Sequence, residues 1–138
     1  MIARCTREVE SLHVFFQEWL NGEVPDGPGR LARVDEALDD TFIIISPDAR
    51  QTSKEVLLQQ LRSSHGAWQD GRIWIEDVTG RALREQLALV TYKEWQQTDG
   101  EVRGRLSSAL FRRASEAPEG VAWVHLHETW IPADGAAD

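Results

Sequence analysis

His125 and His127 stand two residues apart in GVAWVHLHETW, Gly120 to Trp130. β-branched and aromatic residues fill that stretch, and Gly120 and Pro132 bound it, so it reads as a strand. Residues two apart on a strand share a face, which puts the two imidazoles roughly 7 Å apart. Strict alternation groups Trp123, His125, His127 and Thr129 on one face, and Val124, Leu126, Glu128 and Trp130 on the other. With a third ligand from a neighbouring strand the histidines could hold a metal. Glu128 faces away from them, so the pair is read instead as pocket histidines. Either becomes a general base if a carboxylate orients it. Glu128 itself reads as a buried carboxylate of raised pKa or as one half of an intersubunit pair with an arginine.

A second set of candidates follows from Asp99-Gly100, the signature of a two-residue type I′ hairpin turn. With that turn, Thr98 faces Glu101, Glu94 opposes Arg105, Tyr92 opposes Ser107, Val90 opposes Ala109 and Ala88 opposes Phe111. The reverse face sets Trp95 over Gly104, Lys93 by Leu106, Thr91 by Ser108 and Leu89 by Leu110. The first face has the mixed character of a pocket wall, the second that of a packed interface. On the first, Arg105 could grip a ligand carboxylate while Glu94 serves as base, or the two form an ordinary cross-strand ion pair. Tyr92 could donate a hydrogen bond to a ligand. The catalytic candidates are therefore Glu94, His127 and Tyr92. The ligand-binding candidates are Phe16, Trp19, Phe42, Ile44, Ser46, Arg105, Ser107 and His125.

The elements that must position these residues fall into two blocks. Val9, Leu12, Phe16, Trp19 and Leu20 predict an amphipathic helix over 6–21, capped by Thr6. Leu31, Val34, Ala37 and Leu38 predict a shorter helix over 30–40. TFIIIS, residues 41–46, predicts a buried strand closed by Pro47, and Ser53 caps a third helix ending near Gly66. From residue 72 the period becomes two, with strands over 72–79, 85–97, 102–114 and 121–131. The result is one α+β domain with three N-terminal helices on the concave face of a curved antiparallel sheet. Three helices cover only one face of strands that are apolar on both. The outer face is therefore expected to join a second copy in a two-fold homodimer.

Among 138 residues, Asp and Glu outnumber Lys and Arg 23 to 15, a net charge of −8. That balance disfavours nucleic acid and anionic membrane surfaces as partners. Cys5 is the single cysteine, so no intramolecular disulfide forms, and a reducing, cytoplasmic setting is expected. No apolar run reaches the roughly 20 residues that span a bilayer. Nothing in the sequence calls for a cofactor.

The order of elements, with FFQEWLNGE, FIIISPDAR and AWVHLHETW, resembles the nuclear transport factor 2-like superfamily over about residues 7–131. This is the cone fold of ketosteroid isomerase and the polyketide-cyclase-like domains. The last motif is similar to the ending of the calcium/calmodulin-dependent kinase association domain. The resemblance implies a general base where this chain has Ser46 and an oxyanion-stabilising tyrosine where it has Phe16. Neither residue can take that role. The reading that remains is a cone-fold domain of unassigned activity whose pocket takes a small, partly apolar organic molecule. The alternatives are a lyase or isomerase with a pocket His or Glu as base, and a metal enzyme using His125 and His127.

Overall fold

The computed structural model describes residues 1–27 and 29–132. Three helices, α1 (Ile2–Leu20), α2 (Ala32–Asp35) and α3 (Lys54–Ser64), accompany six strands. These are β1 (Leu38–Ile45), β2 (Gln51–Ser53), β3 (Arg72–Arg84), β4 (Leu87–Thr98), β5 (Glu101–Arg113) and β6 (Val121–Ile131). They form one curved, unclosed sheet in the order β2-β1-β6-β5-β4-β3. Every neighbouring pair is antiparallel except β1 with β6, which run parallel. The parallel pair is a departure from the all-antiparallel expectation. It exists because the chain leaves β1 through β2, α3 and three further strands before β6 returns beside it.

Helix α1 begins at Ile2, earlier than its apolar spacing predicts. Thr6 is no cap: its hydroxyl donates back to the Ile2 carbonyl at 3.1 Å, inside the helix. The second helix shrinks to four residues because Leu38 already belongs to β1 and the Trp123 amide binds the Ala37 carbonyl at 2.8 Å. Sheet pairing outweighs a short run of helical periodicity. Ser53 does cap α3, accepting from the Val56 amide.

The core lies between the helices and the inner face of the sheet. Val9, Leu12 and Trp19 of α1 meet Phe42, Val90, Tyr92, Phe111 and Trp123 there. Burying one such side chain contributes roughly 1.5–3 kcal/mol. Glu8, fully buried, ties the layers together: it accepts two hydrogen bonds from Arg33 and one from the Trp123 indole at 2.9 Å.

Asp99 and Gly100 both take positive φ, 54° and 78°, as a type I′ turn requires. The β4–β5 register is the one that turn predicts, Glu94 opposite Arg105 and Tyr92 opposite Ser107. Strand β6 departs from simple alternation. Leu110 pairs with His125, but Phe111 pairs with Trp123, so the ladder slips at Val124. A β-bulge of this kind changes the face on which the following residues emerge. Trp123, Leu126 and Glu128 therefore point inward, while His125 and His127 stand on the outer face.

Candidate functional site

A cavity of about 180 Å³ opens between α1, α3 and the inner wall of the sheet. Leu12, Phe16 and Leu20 at three- and four-residue spacing on α1, with Leu57 and Leu61 of α3, make its apolar side. The sheet supplies Glu94 and Gln96 from β4, Arg105 from β5 and Glu128 from β6. Phe42, Ile44, Ile73, Trp123 and Leu126 complete the wall.

His13 is the residue that makes this wall ionic. Its Nδ1 lies 2.6 Å from the Val9 carbonyl and its Nε2 lies 3.0 Å from Glu94 Oε1. Both partners are acceptors, so both ring nitrogens donate and the ring is an imidazolium. Burial opposes that charge, but the Glu94 carboxylate outweighs it and raises the His13 pKa. Burial likewise opposes ionisation of Glu94. The His13 charge and hydrogen bond, with Arg105 and Gln96, overcome it and hold Glu94 at about 2. The second oxygen of Glu94 accepts from the Gln96 amide at 2.6 Å.

Arg105 donates to Glu128 at 2.9 Å, not to Glu94. Ser107, buried beneath, donates to the other Glu128 oxygen at 3.5 Å. Burial and the neighbouring Glu94 charge push Glu128 up to about 7 against the pull of Arg105. Tyr92 is fully buried on the same face and its hydroxyl has no hydrogen-bond partner among the described residues. Burial, then Glu94 and Glu128, drive its pKa well above the ordinary phenol value.

Of the residues singled out from sequence, the structure brings Glu94, Arg105, Phe16, Phe42 and Ile44 to the cavity, with Tyr92 and Ser107 in the wall behind it. Four lie elsewhere. His125 and His127 occupy the outer face, beside Ile43 and Ile45 of β1, because of the slip at Val124. Neither can exchange a proton with Glu94 across the sheet. Trp19 turns toward α3, donating to the Leu61 carbonyl at 2.7 Å, and borders a different hollow with Leu31 and Arg62. Ser46 sits in the turn after β1, bonded to Asp48 and Arg50. Among the described residues no group of three or more His, Cys, Asp or Glu side chains could hold a metal. Sequence reasoning missed His13 and Gln96. His13 follows Val9 by four and precedes Phe16 by three, so its place on the apolar stripe of α1 was there to be read.

A curved six-stranded sheet with an N-terminal helix against its inner wall defines a nuclear transport factor 2-like domain. The nuclear transport factor 2-like protein of unknown function from Pseudomonas aeruginosa superposes with a TM-score of 0.83 at 26% identity, covering 94% of this chain and 99% of that one. A protein of that fold from Rhodospirillum rubrum, of unknown function in nutrient uptake, gives 0.63 at 20% identity over 84% and 91%. The CaMKII hub of S. rosetta gives 0.57 at 13% over 78% and 99%.

The family is more specific. Residues 5–132 match the C-terminal domain of sucrose-6-phosphate phosphohydrolase, and the chain belongs to that family. Sucrose-phosphatase 1 of Nicotiana tabacum is 25% identical over 134 residues, covering 95% of this chain and 32% of that protein. Sucrose-phosphatase 2 of the same plant is 23% identical over an equal length. The chain thus spans about a third of the length of these relatives. This kinship corrects the functional expectation drawn from sequence. A cone-fold domain of unassigned activity with a pocket for a partly apolar organic molecule, a lyase or isomerase with a pocket base, and a His125/His127 metal enzyme all give way to a domain related to sucrose-phosphatases.

Proposed function

We propose that this chain is an accessory domain of the sucrose-phosphatase kind that pairs with a second copy of itself through the outer face of its sheet. Hydrolysis of phosphate esters is then the work of other parts of such proteins. The observation that carries the reading is the character of that outer face. Leu89, Trp95, Leu106, Leu110 and Ile131 emerge on it from three adjacent strands, with Ile43 and Ile45 beyond. Val102 and Leu106 are 49% and 46% exposed. Exposed apolar side chains of this size, here interspersed with Lys93, Ser108, His125 and His127, favour an interface on a small chain. Sheet faces related by a two-fold axis cover each other with the same residues on both sides. The inner wall offers no net positive charge to a phosphate dianion, because its two cations, His13 and Arg105, are already paired with Glu94 and Glu128. A reducing compartment, the cytoplasm, suits a chain whose one cysteine is buried.

Sedimentation equilibrium tests the proposal. The chain should sediment at twice its 15.6 kDa mass, and Leu106→Glu should return it to one chain mass with an unchanged circular dichroism spectrum. A wild-type chain that sediments singly at about 50 μM, in the range where weak dimers of micromolar affinity persist, sinks the idea.

A further inference from the structure

Two titratable groups sit inside the outer face that the proposed pairing would cover, and the strand registers fix their surroundings. His125 lies between Ile43 of β1 and Leu110 of β5, and His127 lies between Ile45 and Ser108. Further out in the first row come Ser53 of β2 on one side, and Leu89 of β4 and Arg81 of β3 on the other. The second row continues with Gln51, Thr91 and Thr79. His125 is half-buried in the single chain and His127 is exposed. Across the sheet, aliphatic and hydroxyl side chains flank both imidazoles, and no carboxylate pairs with either.

Carboxylates around this face are already engaged. Arg112 of β5 holds Asp39 at 2.6 Å, Lys54 holds Asp40 at 3.3 Å and Lys93 of β4 holds Asp77 at 3.2 Å. In the turn after β1, Ser46 and Arg50 hold Asp48. Glu76 stands on β3, three strands from β6, or roughly 14 Å away at the usual strand spacing. Glu128 follows His127 in the chain but points to the inner wall, where Arg105 holds it. His13 lies on that wall as well, bound to Glu94. A proton taken up by His125 or His127 therefore meets no free anion of its own chain among the described residues.

We infer that His125 and His127 make the pairing of two copies pH-dependent, with acid driving the copies apart. The inference rests on the pairing proposed above. A neutral imidazole is covered by a second apolar face at modest cost. An imidazolium under the same face loses its water and gains no counter-charge, and an unpaired buried charge is expensive. Two-fold symmetry doubles the effect, because each copy brings both histidines to the same interface. Imidazole changes charge between pH 5 and 8. Closing the faces thus requires the neutral rings, so affinity is present on the alkaline side of that range and is lost as pH falls through it.

The test is sedimentation equilibrium of the whole chain over a concentration series, at about pH 8 and about pH 5.5. The dimer Kd should be at least about tenfold weaker at the lower pH. The double variant His125→Gln/His127→Gln keeps polar side chains that cannot charge, and should pair as tightly at the lower pH as at the higher. His127→Gln alone should remove part of the difference. An equal Kd at both pH values overturns the inference and leaves the pairing standing. So does tighter pairing in acid, the result if a carboxylate of the second copy meets the histidines. A tenfold loss that survives in the double variant assigns the effect to Glu128 or His13 on the inner wall and overturns it too. A chain that is single at pH 8 removes the pairing itself and this inference with it. At concentrations well below the dimer Kd, thermal unfolding reports the inner ion pairs and is free of this effect.

Discussion

The two faces of one sheet follow opposite rules. On the inner wall Glu94 and Glu128 are 5% and 2% exposed, yet charged partners surround them. On the outer wall large apolar side chains stand open to solvent, Leu106, between Arg105 and Ser107, being the plainest case. Charged pairs lie within the core inside, and large apolar side chains are left open to solvent outside. A chain that had only to remain folded as a single molecule would be patterned the other way round. The contrast sets a buried ionic cluster on one side of the strands against an exposed apolar surface on the other, the surface proposed above to pair with a second copy.

The contrast can be broken hardest from within. Glu94→Leu leaves the His13 imidazolium buried and unpaired. It should cost about 3–5 kcal/mol in denaturant unfolding, in line with removal of one partner from a buried ion pair. If the loss is under about 1 kcal/mol, water reaches His13 and the inner wall is not a dry ionic surface. A smaller effect is expected outside. The Trp95 ring lies flat over Gly104, where an added Cβ would run into it. Gly104→Ala should lift that ring, cost about 1–3 kcal/mol and shift tryptophan emission to the red. An unchanged spectrum would mean that Trp95 has room to spare.

The gentlest probe is pH. Glu128, raised from 4.5 to about 7, keeps a proton in the folded chain that the unfolded chain releases through that window. Its contribution to stability therefore falls as pH rises from 4.5 to 7. His13, raised from 6.5, acts in the same direction, its stabilisation being lost as pH climbs past its folded value. Glu94, lowered from 4.5 to about 2, acts oppositely and loses its contribution as pH falls through that range. Thermal unfolding should accordingly peak in mildly acidic solution near pH 4.5. Glu128→Gln should flatten the alkaline side of the curve, and a profile that keeps rising to pH 8 would remove Glu128 from the account.

The inner wall was half legible in the sequence. The Asp99-Gly100 turn fixes the β4–β5 ladder because a two-residue loop with two positive φ values admits one register. Glu94, Arg105, Tyr92 and Ser107 could thus be placed on one face from spacing alone. Their partners could not. The connection from Arg113 to Val121 is long enough to allow many registers, so nothing in the sequence says that Arg105 reaches Glu128 before Glu94. The slip at Val124 was equally silent. Period-two reading carried Trp123 along with His125 and His127, where the fold divides them between the two faces. Strand β2 spans three residues, too short for any periodicity. The first strand and its parallel neighbour meet only in three dimensions.

One contact reaches further than the site it belongs to. His13 grips the carbonyl one turn below it in α1 and, across the gap, a carboxylate on β4. Sliding or rolling the helix along the sheet would strand an imidazolium in oil, so the distance between helix and strand is set electrically as well as sterically. The hollow between them is consequently held open by the fold's own ion pair, and closing it would require that pair to be broken.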